Sequence, residues 1–305
     1  MSQSFSIIVA TKDRAPMIQE LLDSMKNVAG LDRIRPQIII GDNDSQDGTW
    51  EVLQRTAKNF PLPIKLLKVK RPGKSAVLND AVRAAEGRIL VFLDDDVTLD
   101  RRWLEASEKF FSQKTYQVGQ GRIQLQSPDA NDPQVQKLIH RFRTIPHVEY
   151  DKSMDRVHSL TGANFAVLRD ALERVGPFDE RLGPGAAGTS EDVELGQRFT
   201  RAGISIGYMQ EAIAYHRVDR SRLTEEYFKS LHKKQGKSRL LIKNRSVPHI
   251  LLGICSMTTL YGINCVFSGE RRRYRSKGRI YHYLGMLEDK WNGQADKRQK
   301  LRPSR

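Results

Sequence analysis

Short apolar runs alternate with amphipathic stretches along the N-terminal part of the chain. Phe5 to Ala10 is a first apolar run and reads as a strand. Ile18, Leu21, Leu22, Met25 and Val28 then recur at helical spacing, giving a helix one apolar face. Gln37 to Gly41 predicts a second strand, about Thr49 to Asn59 a helix, Ile64 to Val69 a third strand, and Gly73 to Ala85 another helix. Ile89 to Leu93 has no polar residue, the signature of a strand buried on both faces. Strand–helix alternation of this kind implies βαβ units and a mostly parallel sheet.

The pattern changes after Ser127. Pro128 to Pro133 reads as a loop and Val135 to Phe142 as a helix. Pro146 to Val157 is polar and matches no period. Leu160 to Leu168 is strand-like, with small residues at its start that let a ligand approach the backbone. Gly176 to Glu180 is a turn. Gly183 to Gly188 is a glycine-rich loop without phosphate-loop spacing, read as a mobile lid. Ser190 to Glu194 opens a helix whose Val193, Leu195, Phe199 and Ala202 can face a core. Ala212 to Tyr215 is a last short strand ending in His216, and Leu223 to Leu241 a basic helix.

The chemistry gathers at strand ends. Asp94, Asp95 and Asp96 directly follow the most apolar run. On an extended chain Asp94 and Asp96 point one way and Asp95 the other. Converging carboxylates need a cation, and hard oxygen ligands suit Mg²⁺ or Mn²⁺, ions that also hold substrate phosphates. Acids at a turn or helix start are the plainer account. In a parallel sheet the loops after successive strands share one edge, where ligands bind. That edge would hold Thr11, Asp13, Asp42, Asp44 and Asp94 to Asp96. Lys74, at a helix start, joins it as a candidate to neutralise a phosphate, against the alternative of a solvated lysine. Asp13 is a candidate helix cap and Pro16 suits a first helical turn. Turn chemistry explains Asp47-Gly48. Glu191 and Asp192 suit a helix dipole, and either one, beside the glycine-rich lid, can be a general base for a hydroxyl.

The totals narrow the classes. The chain has 305 residues, a formal net charge of +15, and two cysteines. So few cysteines give no disulfide framework and fit a reducing compartment. A first strand beginning by Phe5 leaves no room for a signal peptide. The basic excess allows nucleic acid, an anionic membrane surface or anionic ligands. The strand-end loops are acidic, however, and the basic residues crowd toward the tail, so nucleic acid is not expected as a partner. Ile250 to Phe267 is 18 residues long and mostly apolar, interrupted by Ser256, Thr258, Thr259 and Asn264. Basic residues flank both sides, Lys237, Arg239, Lys243 and Arg245 before it and Arg271, Arg272, Arg273 and Arg275 after it. A single span would put one cluster outside, against the positive-inside tendency. An in-plane or re-entrant segment with its charges on anionic headgroups fits better, and a buried helical hairpin is the competing account.

Eight motifs, in order, carry a resemblance: Ser6-Ile-Ile-Val-Ala-Thr-Lys-Asp-Arg14, Asp42-Asn-Asp-Ser-Gln-Asp-Gly-Thr49, Gly73-Lys-Ser-Ala-Val-Leu-Asn79, Phe92-Leu-Asp-Asp-Asp96, Gly162-Ala-Asn-Phe-Ala166, Val175-Gly-Pro-Phe-Asp-Glu180, Ser190-Glu-Asp-Val-Glu194 and Ala214-Tyr-His216. The chain resembles the family 2 inverting glycosyltransferases over about Phe5 to Val218. The resemblance implies the GT-A fold, a Rossmann-like α/β architecture with a mostly parallel sheet flanked by helices, here with a helical basic C-terminal extension. It implies a catalytic domain over 1–220, with a nucleotide-sugar half to about 126 and an acceptor half beyond, followed by a membrane-associating region over 221–305.

Roles follow from the same resemblance. Thr11, Asp13 and Asp42 would line the nucleotide pocket, with Asp42 on the base or ribose. Asp44, Lys74, Asn79 and Asp95 would join them around the nucleotide-sugar donor. Asp94 and Asp96 would be the DxD pair holding Mn²⁺ or Mg²⁺ and the donor diphosphate, and His216 would reach the metal or diphosphate. Asp192 would be the base, with Glu191 beside it, acting on a saccharide or lipid-linked acceptor. Two features depart from relatives. Leu78 stands where many have arginine, and no Gln-x-x-Arg-Trp motif accompanies the Gly73-Lys-Ser-Ala form. The expectation is a non-processive enzyme on the cytoplasmic face of a membrane. A nucleotidyltransferase of similar sheet and a nucleic-acid-binding protein are the alternatives. The Glu191-Asp192 helix and the lack of an N-terminal glycine-rich phosphate loop disfavour the first. The acidic edge disfavours the second.

Overall fold

The structure, a computed structural model, describes residues 4–126, 132–151 and 153–293. Most of the loop expected at Pro128 to Pro133 therefore lies outside the described residues. In chain order the elements are β1 Phe5–Thr11, α1 Ala15–Lys26, α2 Leu31–Ile34, β2 Gln37–Asp42, α3 Thr49–Lys58, β3 Ile64–Lys68, α4 Lys74–Ala84, β4 Ile89–Asp94, β5 Val97–Leu99 and α5 Trp103–Ser112. They continue as β6 Val118–Gln126, α6 Pro133–Phe142, β7 Arg156–Val157, β8 Asn164–Leu168, α7 Arg169–Val175, α8 Glu191–Arg201, β9 Ile206–Arg217, α9 Glu225–Ile242, α10 Val247–Phe267 and α11 Glu270–Trp291.

Two compact units divide the chain. The first comprises Met1–Gln126, Pro146–Glu180 and Glu191–Arg217, and the second Ser127–Ile145, Arg181–Ser190 and Val218–Arg305. The first unit holds one sheet in the order β3-β2-β1-β4-β8-β6-β9-β5, with β7 on β9. β3, β2, β1 and β4 pair in parallel, as the βαβ pattern predicts. Beyond β4 the pairing turns mixed: β8 is antiparallel to both β4 and β6, and β6 runs parallel to β9. The sheet is thus wholly parallel from β3 to β4 and mixed beyond, where the parallel pair β6 and β9 stands among antiparallel ones. The run after Ser190 gives α8 as expected, and β9 is far longer than its last apolar residues indicated.

Burial explains these elements. β1 and the Ile89 to Leu93 part of β4 are buried along their whole length, as central strands covered on both faces must be. α1 lays Ile18, Leu21, Leu22 and Met25 on the sheet, with a proline in its first turn. Phe92 stacks on Phe165 of β8 at 4.7 Å and meets Phe178 edge-on at 5.2 Å. Asn164 is fully buried; its side chain bonds to the Arg122 and Ala212 carbonyls and accepts from Trp103 Nε1. One polar side chain thereby ties β6, β8, β9 and α5 together.

The second unit is helical. α9 and α11 approach so closely that a Cβ on Gly236 would lie 2.0 Å from the His282 carbonyl, and one on Gly285 would lie 2.2 Å from that of Lys233. α10 and α11 form a hairpin, joined by a buried Asn264–Ser276 hydrogen bond of 2.6 Å. The buried-hairpin account fails for α10, because only 11% of its apolar 18-residue window is buried. α10 is long and apolar enough, by length and composition, to cross a membrane. The 183–188 loop, expected as a free lid, belongs to this unit. Gly188 donates to the Gly183 carbonyl at 2.8 Å, and Leu182 and Ala187 pack with Leu241.

Candidate active site

Parallel pairing sets the edge of the site. Thr11 at the end of β1 lies beside Asp42 at the end of β2, and Ala10 lies beside Asp94 at the end of β4. Three strand ends therefore finish level, and their loops lie side by side. Asn43, just past β2, accepts from the Gly73 backbone N–H at 2.9 Å and donates to the Val69 and Arg71 carbonyls. That anchors the start of α4, and with it Lys74, to the same edge.

Asp95 and Asp96 share one cation. Arg14 Nη1 donates to Asp95 Oδ1 at 2.8 Å and to Asp96 Oδ2 at 2.9 Å, and Thr11 Oγ1 donates to Asp95 Oδ2 at 2.7 Å. This corrects the alternation read for the triplet. β4 stops at Asp94, and Asp95 and Asp96 form the turn into β5, so the pair that converges on one partner is 95 and 96. Burial raises the Asp95 pKa to about 6, against the pull of Arg14. The Arg14 guanidinium, despite its partial burial, is held protonated by Asp95 and Asp96.

Lys74 is not a solvated lysine. Its ammonium pairs with Asp94 Oδ1 and lies 3.2 Å from Glu191 Oε1. These carboxylates raise its pKa against the desolvation that opposes them. Asp192, in the first turn of α8, accepts from Gly162 N at 2.6 Å and from Val193 N at 2.7 Å. Below lies an apolar floor that includes Leu78, Phe92, Phe165 and Phe178. Burial, then the neighbouring Glu191 charge, pushes Asp192 up to about 7, while Lys74 pulls it down. Gly162 sits among all three side chains. A Cβ there would be 3.2 Å from Lys74 Nζ, 3.4 Å from Asp192 Oδ2 and 3.7 Å from Asp94 Oδ1.

His216, 1% exposed, ends the arrangement. Its Nδ1 is 2.8 Å from the Arg217 carbonyl and must donate there, because a carbonyl only accepts. Its Nε2 lies 3.3 Å from Asp96 Oδ1. A lone pair facing a carboxylate oxygen in a buried place calls for a cation or a proton between them. Of this pair, the Asp96 oxygen suits a hard divalent ion such as Mg²⁺ or Mn²⁺. Among the described residues no three His, Cys, Asp or Glu side chains form a ready metal cage. The two donors would be completed by ligand oxygens and water, the usual state of Mg²⁺ or Mn²⁺ beside phosphates.

Other expected residues take plainer places. Asp42 is fully buried and accepts from the Ser45 backbone and hydroxyl. Asp13 does not cap α1; its Oδ1 accepts from Gln46 N at 2.7 Å, clasping the loop after β1 to the loop after β2. Asp44 lies in that second loop with φ of 57°. The Asn79 amide donates to the Phe178 carbonyl and Glu180 Oε1 and accepts from Phe178 N, so it holds the 178–180 turn rather than facing the acidic edge. Sequence reasoning missed Arg14 and Gly162. Both stand inside quoted motifs, but only the fold reveals their partners.

A sheet with level parallel strand ends and an acidic edge is the architecture of the GT-A fold, which the solved structures below share. Residues 6–176 match the glycosyl transferase family 2 profile, over half of the chain, and the chain belongs to that family. It is 25% identical over 211 residues to glycosyltransferase AglE of Haloferax volcanii, covering 69% of this chain and 66% of AglE. It is 22% identical over 224 residues to the probable glycosyltransferase YdaM of Bacillus subtilis, covering 69% of this chain and 50% of YdaM. The chain thus spans less than two thirds of these relatives' length. Among solved structures, mannosyltransferase PcManGT from Pyrobaculum calidifontis, in complex with GDP-Man and Mn²⁺, matches with a TM-score of 0.62 at 17% identity, over 96% of this chain and 88% of that one. S. aureus TarS 1–349 matches with a TM-score of 0.56 at 16% identity, over 95% and 92%.

Proposed function

We propose that this chain transfers one or a few sugars from a nucleoside-diphosphate sugar to a hydroxyl acceptor, with inversion and with a divalent ion. The observation that carries the reading is the acidic edge: five carboxylates, Asp94, Asp95, Asp96, Glu191 and Asp192, against two cations, Arg14 and Lys74. That excess of negative charge is suited to a metal–diphosphate complex, not to a bare anion. The GDP-Man and Mn²⁺ held by PcManGT agree with it.

In this reading Asp96 and His216 would hold the ion, Asp94 would join them on exchanging its Lys74 contact for the metal, and the ion would neutralise the leaving diphosphate. Thr11, Asp13, Asp42 and Asp44 border the nucleotide. Asp192 accepts the proton of the acceptor hydroxyl. The acceptor oxygen bonds to the anomeric carbon as the bond to the diphosphate oxygen breaks on the opposite face, so the centre inverts. A base poised near neutral pH suits that proton transfer. Gly162 N–H fixes one Asp192 oxygen. Lys74 pairs with Asp94 and Glu191 beside it. The catalytic domain we assign is 1–220, and the region 221–305 we assign to membrane association, on the strength of the unburied apolar α10 and its basic flanks. A lipid-linked saccharide or polysaccharide precursor at the cytoplasmic face is the acceptor class this favours.

The test is calorimetric binding of UDP, GDP and dTDP, each with and without Mn²⁺, to the wild type and to Asp96→Ala. One nucleotide binding tightly only with metal, and not to the variant, is the expected result. No metal-dependent binding of any of the three would overturn the reading.

A further inference from the structure

The second unit forms a half-open cavity of about 780 Å³, within the range that holds small-molecule ligands. α6, α9, α10 and α11 all contribute to its wall. Seven arginines and four histidines line it, and no Asp or Glu does. Arg141 is engaged, with Glu270 at 2.8 Å. Among the described residues no carboxylate pairs with Arg239, Arg245, Arg271, Arg275 or Arg279. Burial, then His232, Arg239 and Arg279, hold His282 down near 4, so its ring is neutral at physiological pH. The permanent charge of the cavity is guanidinium charge. Converging arginines without counter-charge repel one another, and their planar forks suit phosphate oxygens.

The same wall carries apolar surface. His249 and Met257 of α10 line the cavity. Along that helix Leu252 is 70%, Val266 73% and Phe267 81% exposed. A ligand that satisfies both features has an anionic head and an apolar tail. We propose that this cavity binds the phosphate headgroup of an anionic lipid, whose chains lie along α10. The proposal rests on the reading that α10 meets lipid, and it is separate from the donor site.

The test is flotation of the full chain with vesicles of phosphatidylcholine alone and of phosphatidylcholine carrying phosphatidic acid. Binding is expected only to the second. The pair Arg275→Gln and Arg279→Gln, at exposed positions of α11, should weaken it roughly twenty-five-fold, about fivefold for each charge lost near the surface. Arg174→Gln with Arg201→Gln, an equal charge loss in the first unit, should leave it unchanged. Thermal unfolding followed by circular dichroism confirms that both pairs fold. Inorganic pyrophosphate should compete with the vesicles. Equal binding to both vesicle types would overturn the headgroup pocket while keeping α10 as a membrane segment. Binding to neither overturns both. Pyrophosphate binding without vesicle binding would assign the cavity to a free anion. Equal effects of the two arginine pairs would reduce it to general charge. Asp192→Asn should float like the wild type, so loss of transfer and loss of lipid binding are separable.

Discussion

The backbone N–H of Gly162 donates to Asp192 Oδ2 at 2.6 Å, joining the segment that leads into β8 to the first turn of α8. The contact fixes the carboxylate from outside its own helix. It leaves the carboxylate's position dependent on a residue without a side chain.

Asp192→Asn is expected to remove the proposed base while keeping shape. Transfer should fall by about 10²–10⁴, the usual contribution of a general base. Nucleotide binding with Mn²⁺ should persist. Steady-state kinetics beside calorimetry checks this, and a variant retaining wild-type kcat would exclude Asp192 from proton transfer.

The raised Asp192 pKa gives two pH signatures. Transfer should rise with pH and level off above about 7, as the base ionises. Lys74 pulls that pKa down, so in Lys74→Met the same limb should move to higher pH. Stability runs the other way. The folded protein binds the Asp192 proton more tightly than the unfolded chain, so this group contributes less stability as pH climbs from the ordinary carboxylate range through about 7. Asp192→Asn should thus gain thermal stability over the wild type at pH 8 and not at pH 4.

Gly162→Ala tests the cradle. Its methyl would crowd Lys74 Nζ and Asp192 Oδ2, both ends of flexible side chains, so the fold should persist. A displaced base is expected to lower kcat by about a hundredfold, as small misplacements do. Thermal unfolding and nucleotide affinity should stay close to wild type. A normal kcat would show that the Asp192 position tolerates movement.

Arg14→Ala leaves Asp95 and Asp96 without the guanidinium they share. Buried carboxylates that lose a charged donor cost about 1–3 kcal/mol, read as a lower urea midpoint at neutral pH, although Asp95 keeps its bond from Thr11. Because Arg14 lowers the Asp95 pKa, that pKa should rise above about 6 in the variant. The deficit should therefore shrink as pH falls and Asp95 is protonated. A deficit that does not vary with pH would mean that Arg14 contributes packing and little charge.

His216→Ala separates metal from nucleotide. Nucleotide affinity in the presence of Mn²⁺ should drop at least about tenfold, the scale of losing a group that supports a metal site. Affinity without Mn²⁺ should not change. Equal losses in both conditions would make His216 a purely structural residue.

Local rules served where the signal is local. The apolar runs of β1 and β4 marked central strands, because burial on both faces leaves a continuous stretch of hydrophobic residues. Pro16 and the helical spacing of apolar residues marked α1, because a helix buries one face and proline suits its first turn. α5, β6 and α11 were not read, since their patterns mix polar and apolar positions and their burial comes from partners distant in the chain. The triplet misled because alternation holds only while the chain is extended, and β4 ends at its first aspartate.

By itself the sequence determined the class. Eight short motifs in a fixed order gave the family, and the acids at a strand end gave the candidate site. The tertiary structure alone decided the partnerships: Arg14 with Asp95 and Asp96, Lys74 with Asp94 and Glu191, and Gly162 with Asp192. Motif order reports which loops meet at the edge of a parallel sheet. Which cation neutralises which carboxylate depends on distances of a few ångströms between segments far apart in the chain, and those are fixed only when the sheet and its helices pack.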